Sequence, residues 1–219
     1  MQVEGDYRSD GAALVRGLVP PDICNALLRQ FQRELDPDEA GLSAPATGSP
    51  LLVRDVPEIY GFAWSPLVAF LWGLTPAIRS ITGLDLVPSY DYLRLYREGD
   101  LCRVHSDRPS CEHSLSLTLD YSDGEVWPLE IGDSPLPEPT KRVTDDFEGD
   151  GFRRFEMQPG DGVLYHGVHR RHGRVTPNPN GWSAHLFMHW VERDGAFADQ
   201  AFDARPEYRR PVNFRFASA

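Results

Sequence analysis

What this chain lacks narrows its chemistry before any motif is read. It has no excess of cations: 22 Lys and Arg face 33 Asp and Glu, a formal net charge of −11. Unaided binding to a phosphate backbone needs clustered cations that release counterions, so nucleic acid is not an expected partner. The same deficit disfavours adsorption to an anionic membrane surface. A local basic pocket is still compatible with it, because net charge describes a whole surface rather than one cleft. Cysteine is scarce. Cys24, Cys102 and Cys111 are too few and too scattered for a disulfide framework, which fits a reducing compartment. The opening stretch MQVEGDYRSDGAALV has neither the basic start nor the continuous apolar core of a signal peptide. The longest apolar run, near Leu67 to Leu74, is far too short to span a bilayer. Together these absences predict a soluble, cytoplasmic protein, with the oligomeric state left open.

What is present is ordinary in amount and informative in order. The hydrophobic share is 41% and the charged share 25%, and 219 residues suit a single globular domain. Ala12 to Leu18 alternates weakly and predicts an early strand. Pro20-Pro21-Asp22 punctuates it, and Ile23, Leu27, Leu28 and Phe31 then recur at helical spacing through Glu34. Residues 35–50 are rich in Pro, Gly, Ala and Asp without a period, the texture of a loop. A second helix is expected from Ser65 to Ile81, with Gly73 and Pro76 weakening its middle.

From Leu86 the texture changes to strands. Period two places Tyr90, Tyr92, Arg94 and Tyr96 on one face, with Leu93 and Leu95 on the other. After a turn at Arg97-Glu98-Gly99-Asp100, extended chain resumes from Leu101 to His105. From Ser114 to Tyr121 the alternation is clean: Leu115, Leu117, Leu119 and Tyr121 face one side, Ser114, Ser116, Thr118 and Asp120 the other. Residues 132–151 are acidic and Pro-rich and predict a solvated surface excursion, with a lid as the functional alternative. Strand texture returns at 152–157, 162–165, 171–175 and 182–191, followed by an irregular Arg-rich tail. Trp127, Trp182 and Trp190 are expected in the core.

Two helices followed by many short strands predict a mainly β protein. The expected architecture is a double-stranded β-helix, a jelly-roll or cupin-like barrel, with N-terminal helices packed outside. Three tyrosines beside an arginine would be an odd solvent face and suit a polar barrel interior. The expected division of one domain, 1–219, is a helical part to about 85, a barrel core over 86–192 and a tail over 193–219.

Within that frame, His105-Ser106-Asp107 and, much later, His172-Gly173-Arg174 carry the chemistry. Residues i and i+2 of a strand share a face, so His105 and Asp107 can reach one ion while Ser106 points away. Two imidazoles and one carboxylate from separate strands form the facial triad that holds non-haem Fe(II) with coordination positions left open. His166 and His169 compete with His172 for the distal role, but they fall at the Gly167 turn rather than inside the following strand. His185 and His189 read as structural histidines, and His113 as incidental.

The run from Tyr96 through Gly99 and His105 to Asp107 resembles the Tyr-x-x-Gly-x-x-x-x-x-His-x-Asp segment of 2-oxoglutarate and Fe(II)-dependent dioxygenases, prolyl-hydroxylase-like in type. Pro159-Gly160-Asp161 with Leu164-Tyr165 resembles the turn and strand that precede their second histidine. This resemblance covers about half the chain, from Leu86 to Val191. It implies His105, Asp107 and His172 as metal ligands and catalytic residues, with Fe(II), 2-oxoglutarate and O2 as cofactor and co-substrates. It also implies hydroxylation of a C–H bond in a small substrate, coupled to decarboxylation of 2-oxoglutarate; an inward face bearing Arg94, Arg108 or the loop histidines suits an anionic substrate such as an amino acid. Where many members place a cation for the far carboxylate of 2-oxoglutarate, this chain reads Asn180-Gly181-Trp182-Ser183-Ala184. Arg174, on the face of His172, is therefore the first candidate for that role and Arg94 the second, with Tyr92, Tyr96 and Ser116 as hydrogen-bonding partners. Arg108 is expected to bind substrate or to pair with Glu112. A cupin-like hydrolase or isomerase using the same ligands for another metal, and a metal-free binding barrel, are the alternatives.

Overall fold

The computed structural model describes residues 1–35 and 49–212, so the loop expected at 35–50 and the end of the tail lie largely outside the described residues. Eleven strands and three α-helices follow in chain order: β1 Gln2–Glu4, α1 Tyr7–Asp10, β2 Ala12–Arg16, α2 Pro21–Glu34, β3 Glu58–Tyr60, α3 Ser65–Thr82 and β4 Leu86–Arg97. There follow β5 Cys102–His105, β6 His113–Tyr121, β7 Leu129–Pro135, β8 Phe152–Phe155, β9 Gly162–His166, β10 Arg170–Arg174 and β11 Trp182–Glu192. They form a larger sheet in the order β1-β2-β9-β6-β11-β4-β3 and a smaller one in the order β5-β10-β7-β8. Neighbouring strands pair antiparallel throughout. The fold is a double-stranded β-helix.

Helices α2 and α3 cover the outer face of the larger sheet. In α2 the buried stripe is Cys24, Leu27 and Phe31, and Ile23 is exposed, one position off the expected register. Leu67, Leu71 and Ile78 of α3 join that stripe over Leu115, Leu117, Leu119, Leu186 and Met188. Pro76 sits inside α3 without ending it. The bond it cannot donate would go to the carbonyl of Trp72, a residue on the exposed side of the helix, where water can satisfy it. Gly83, at φ 66°, closes the helix in the left-handed conformation.

The opposite face of the larger sheet looks into the barrel, and its polar residues are buried: Arg94, Ser114, Ser116, Thr118, His185 and His189. Tyr121 departs from the expected alternation. The pairing of β6 with β11 slips at Leu119, where Thr118 meets His185 but Asp120 meets Ala184. This β-bulge swings Tyr121 inward, and its hydroxyl donates to the Met157 carbonyl at 3.1 Å. Trp127 and Trp190 are core residues as expected, whereas Trp182, at the start of β11, is 39% exposed.

The segment after β7 is largely exposed, as expected of a surface excursion, but it is tied down at a few points. Residues 132–135 still belong to β7. Beyond them, Thr144 pairs with Val104 of β5 through a backbone bridge, and Phe147 is buried. Arg171 donates to the Phe147 and Asp146 carbonyls, and Ser106 donates to the carbonyl of Thr140. The loop is thereby strapped across the two strands that carry the His-x-Asp and His-x-Arg motifs. No helix among the described residues is long and apolar enough to cross a membrane.

Candidate functional site

The site begins with a strand pairing. β10 runs antiparallel to β5 with His172 directly opposite His105. Gly173 follows, and a Cβ there would lie 2.8 Å from the Cys102 carbonyl oxygen and 3.2 Å from the Val104 Cα. Only a residue without a side chain lets β10 approach β5 this closely. A second glycine anchors the chain upstream: Gly160, at φ 90°, turns beneath the Val19 carbonyl. Asp161 beside it accepts from Arg16 Nη1 and Gly17 N, both at 2.8 Å. The Pro-Gly-Asp turn therefore ties β9 to β2 and has no part in the site's chemistry.

His105 Nδ1 lies 2.7 Å from the Arg103 carbonyl, and His172 Nδ1 lies 2.9 Å from the Arg170 carbonyl. A carbonyl only accepts, so each Nδ1 carries the proton and each Nε2 presents a lone pair. Both Nε2 atoms are 3.5 Å from Asp107 Oδ1. The three donor atoms lie within 4.8 Å of one another. Ser114 Oγ donates to Asp107 Oδ2 at 3.1 Å, which fixes the carboxylate and leaves Oδ1 for the shared point. Burial pushes the Asp107 carboxyl up, but with a proton on the facing Nε2 atoms His172 and His105 outweigh it and hold the group well below its ordinary value; a metal ion would take the place of that proton. A cation belongs among these three groups, and their donor types and fixed tautomers fit a divalent transition metal.

Arg174 lies two residues beyond His172 and is 1% exposed. Its Nη2 is 3.3 Å from His185 Nδ1 and 3.4 Å from Ser116 Oγ, and its guanidinium stands 5.0 Å over the Trp127 ring. Its Nε has no partner, and neither has His185 Nε2. Burial, then Arg174 and Arg94, push the His185 pKa well down, so this ring is neutral. With Nδ1 accepting from Arg174, its Nε2 carries a hydrogen. The earlier reading of His185 as a satisfied structural residue therefore holds for one nitrogen only. His189 is the reverse: Ser114 spends its hydrogen on Asp107, so His189 Nδ1 donates to Ser114 Oγ at 2.9 Å, and the unpartnered Nε2 is an acceptor. Unpartnered buried donors, on and beside a guanidinium whose carboxylate neighbour Glu130 acts only beyond ion-pair contact, call for an acidic ligand.

Arg94 is a different case. It forms a buried ion pair with Glu58, its partner across the β3–β4 register, and donates to the Tyr96 hydroxyl at 2.8 Å. That charge is already answered, and Arg94 is not a free carboxylate receptor. Tyr92 and Tyr96 face inward as expected, and Tyr92 stacks on Phe187 with ring centroids 4.9 Å apart. Arg94, Tyr92, Tyr96 and Arg174 line one inner chamber with His105, Asp107 and His172. The chamber also takes in Tyr165, whose ring lies 4.6 Å from that of His172. Outside it a mouth of about 570 Å³ is walled by Tyr60, Tyr90 and Tyr92 and by residues 139–143 of the strapped loop.

Arg108 pairs with Asp203 at 2.7 Å, not with Glu112, and stacks over Tyr90 where it lines the mouth. Other expectations resolve away from the site. His169 Nδ1 contacts the Leu136 carbonyl, and His166 packs against Tyr7. His113 is not incidental: it is buried and bonded to the Tyr7 hydroxyl at 2.6 Å. Glu58 and Tyr165 were not foreseen as site residues. Nothing local marks Glu58, whereas Tyr165 stands at an inward position of a strand already recognised.

No family model matches this sequence, and no curated protein matches it. Solved structures do. A prolyl-4-hydroxylase from Pseudomonas putida superposes with a TM-score of 0.56 at 19% identity, over 87% of this chain and 96% of its own. An oxidoreductase of the 2OG-Fe(II) oxygenase family from Burkholderia pseudomallei gives 0.60 at 13% identity, over 87% and 89%. HygX from Streptomyces hygroscopicus, solved with nickel and 2-oxoglutarate bound, gives 0.61 at 10% identity, over 86% and 85%. The chain thus carries the double-stranded β-helix fold of the 2-oxoglutarate–Fe(II) oxygenases.

Proposed function

We propose that this protein is a 2-oxoglutarate- and Fe(II)-dependent oxygenase that hydroxylates a C–H bond of a small molecule. One observation carries the reading. Three metal-type donors converge at the inner end of a chamber that also holds a buried, unpaired arginine. In this reading His105, Asp107 and His172 hold the iron, and Arg174 receives the C5 carboxylate of 2-oxoglutarate. Together Fe(II), 2-oxoglutarate and O2 supply the oxidising chemistry when bound. The protein's own residues bind, orient and exclude water.

Each has a definable task. The carbonyls of Arg103 and Arg170 keep both imidazoles in the tautomer that offers Nε2. Ser114 holds Asp107 so that Oδ1 alone faces the shared point. Arg174 offers a planar fork to a carboxylate, and the Trp127 ring beneath it keeps the guanidinium in one plane. Tyr96 accepts from Arg94, which leaves its own hydroxyl hydrogen to donate into the chamber.

Of the groups that suit an amino-acid-like substrate, Arg94 is paired with Glu58, His166 and His169 have partners outside the mouth, and Arg108 lines the mouth but is paired with Asp203. The mouth is instead walled by Tyr60, Tyr90 and Tyr92, stacked at 5.4 to 6.2 Å between centroids. We infer a substrate that lays a planar or apolar face on these rings.

The test is O2-dependent release of succinate from 2-oxoglutarate on addition of Fe(II), measured for the wild type and for His105→Ala. Turnover in the wild type and its loss in the variant are expected. A protein that holds zinc and never consumes 2-oxoglutarate would point to the hydrolase instead.

A further inference from the structure

On the opposite face of the larger sheet from the candidate iron site, a second set of donors converges. Glu112 precedes β6, His113 opens it, and Glu192 closes β11. One ligand atom from each lies within 4.8 Å of the others. His113 Nε2 is 3.6 Å from Glu192 Oε1 and 3.9 Å from Glu112 Oε2. Both distances exceed a hydrogen bond, and this buried nitrogen has no partner. The ring is 4% exposed, and its other nitrogen is held by the Tyr7 hydroxyl at 2.6 Å, the kind of partner that orients a metal-binding imidazole.

The charges point the same way. Among the described residues, the ion-pair contacts of Glu112 and Glu192 are with His113 alone. Burial, with His166 and His169 nearby, pushes the His113 pKa down to about 3, so the ring does not neutralise them. Glu112 is buried and spends Oε2 on the Glu192 backbone N–H at 2.8 Å. That bond also ties the two strand ends together. Two carboxylates therefore face a lone pair with no cation between them, while the half-exposed Glu192 leaves the cluster open to water.

We propose that Glu112, His113 and Glu192 form a second divalent-metal site, suited to Zn2+ with water as the fourth ligand. Two carboxylate oxygens and one imidazole nitrogen make a donor set that zinc accepts, and a contraction of well under an ångström per ligand brings them to bonding distance. Occupancy would clamp the start of β6 to the end of β11. Ser114, the next residue, positions Asp107, so the clamp lies one residue from the candidate iron site.

The experiment counts zinc. The full chain carrying His105→Ala and His172→Ala, which disables the iron triad, is equilibrated with Zn2+, dialysed and analysed for metal. One equivalent is expected to remain, and Glu192→Gln in the same background is expected to weaken its binding at least tenfold. Glu192 is half-exposed, so this isosteric change spares the fold, and His113→Asn is a second variant. The Asp107–Cys111–His189 group is another cluster that could take zinc in this background. Glu192→Gln leaves that group untouched, so zinc retained at full affinity by this variant overturns the proposal, as does the absence of any bound zinc in its parent. Because the iron triad is absent from every protein compared, failure here says nothing against the oxygenase reading.

Discussion

Replacing Arg174 by Met removes the buried cation of the inner chamber that makes no ion-pair contact among the described residues, and keeps most of its volume. In the wild type the guanidinium can offer a carboxylate two charge-assisted hydrogen bonds, one from the unpartnered Nε and one from a terminal nitrogen. Each is worth about 1.5–3 kcal/mol in a buried setting, so losing both costs roughly 3–6 kcal/mol. At about 1.4 kcal/mol per factor of ten, the Kd for 2-oxoglutarate should rise by at least ~100-fold. The metal donors do not touch Arg174, so Fe(II) affinity should be unchanged, which also controls for folding. A sharper readout uses 2-oxobutyrate, which keeps the chelating end and lacks the far carboxylate. The wild type should prefer 2-oxoglutarate strongly and Arg174→Met should not. If the variant keeps the wild-type preference, the carboxylate binds elsewhere and the argument from unpartnered donors is wrong.

Three further outcomes follow from the structure. Glu58→Gln leaves Arg94 as an uncompensated buried charge and should cost about 3–5 kcal/mol, read as a lower urea midpoint with an unchanged slope. Gly173→Ala would set a methyl 2.8 Å from the Cys102 carbonyl and part β10 from β5. Fe(II) binding should fall at least tenfold with secondary structure retained, and wild-type affinity would contradict the close-approach argument. Asp91 is buried without a partner for Oδ2, and burial raises its pKa from 3.8 to about 7. The folded state therefore keeps a proton that the unfolded chain releases above about pH 4. Its contribution to stability should be full below pH 4, decline between pH 4 and 7 by up to about 4 kcal/mol, and level off above. Asp91→Asn should abolish that slope.

The barrel and the shared face of His105 and Asp107 were legible because both obey period two. Tyr92, Arg94 and Tyr96 face inward together, and so do His105 and Asp107, since alternation is a property of the strand itself. Where alternation broke, the reading broke: a single extra residue at Leu119 carried Tyr121 to the other face. Long-range charge pairing was invisible. Arg94 resembles a ligand-binding arginine until Glu58, far away in sequence, is seen beside it. Composition told of exposure at residues 136–151 but not of anchoring: the segment is mostly exposed, yet Phe147 and Thr144 dock it on β5 and β10. His113 shows the same limit, because a lone histidine says nothing about the two glutamates that fold around it.

The carbonyls that aim the His105 and His172 rings come from residues two places earlier in the chain. Each half of the donor set can thus be oriented by its own short segment of chain, before the halves meet. Little rotational freedom is then left to surrender when an ion arrives, and assembly reduces to sliding two extended segments into the correct alignment. A slip by one residue would turn His172 outward and destroy the centre, whereas loosening either ring alone would only weaken it.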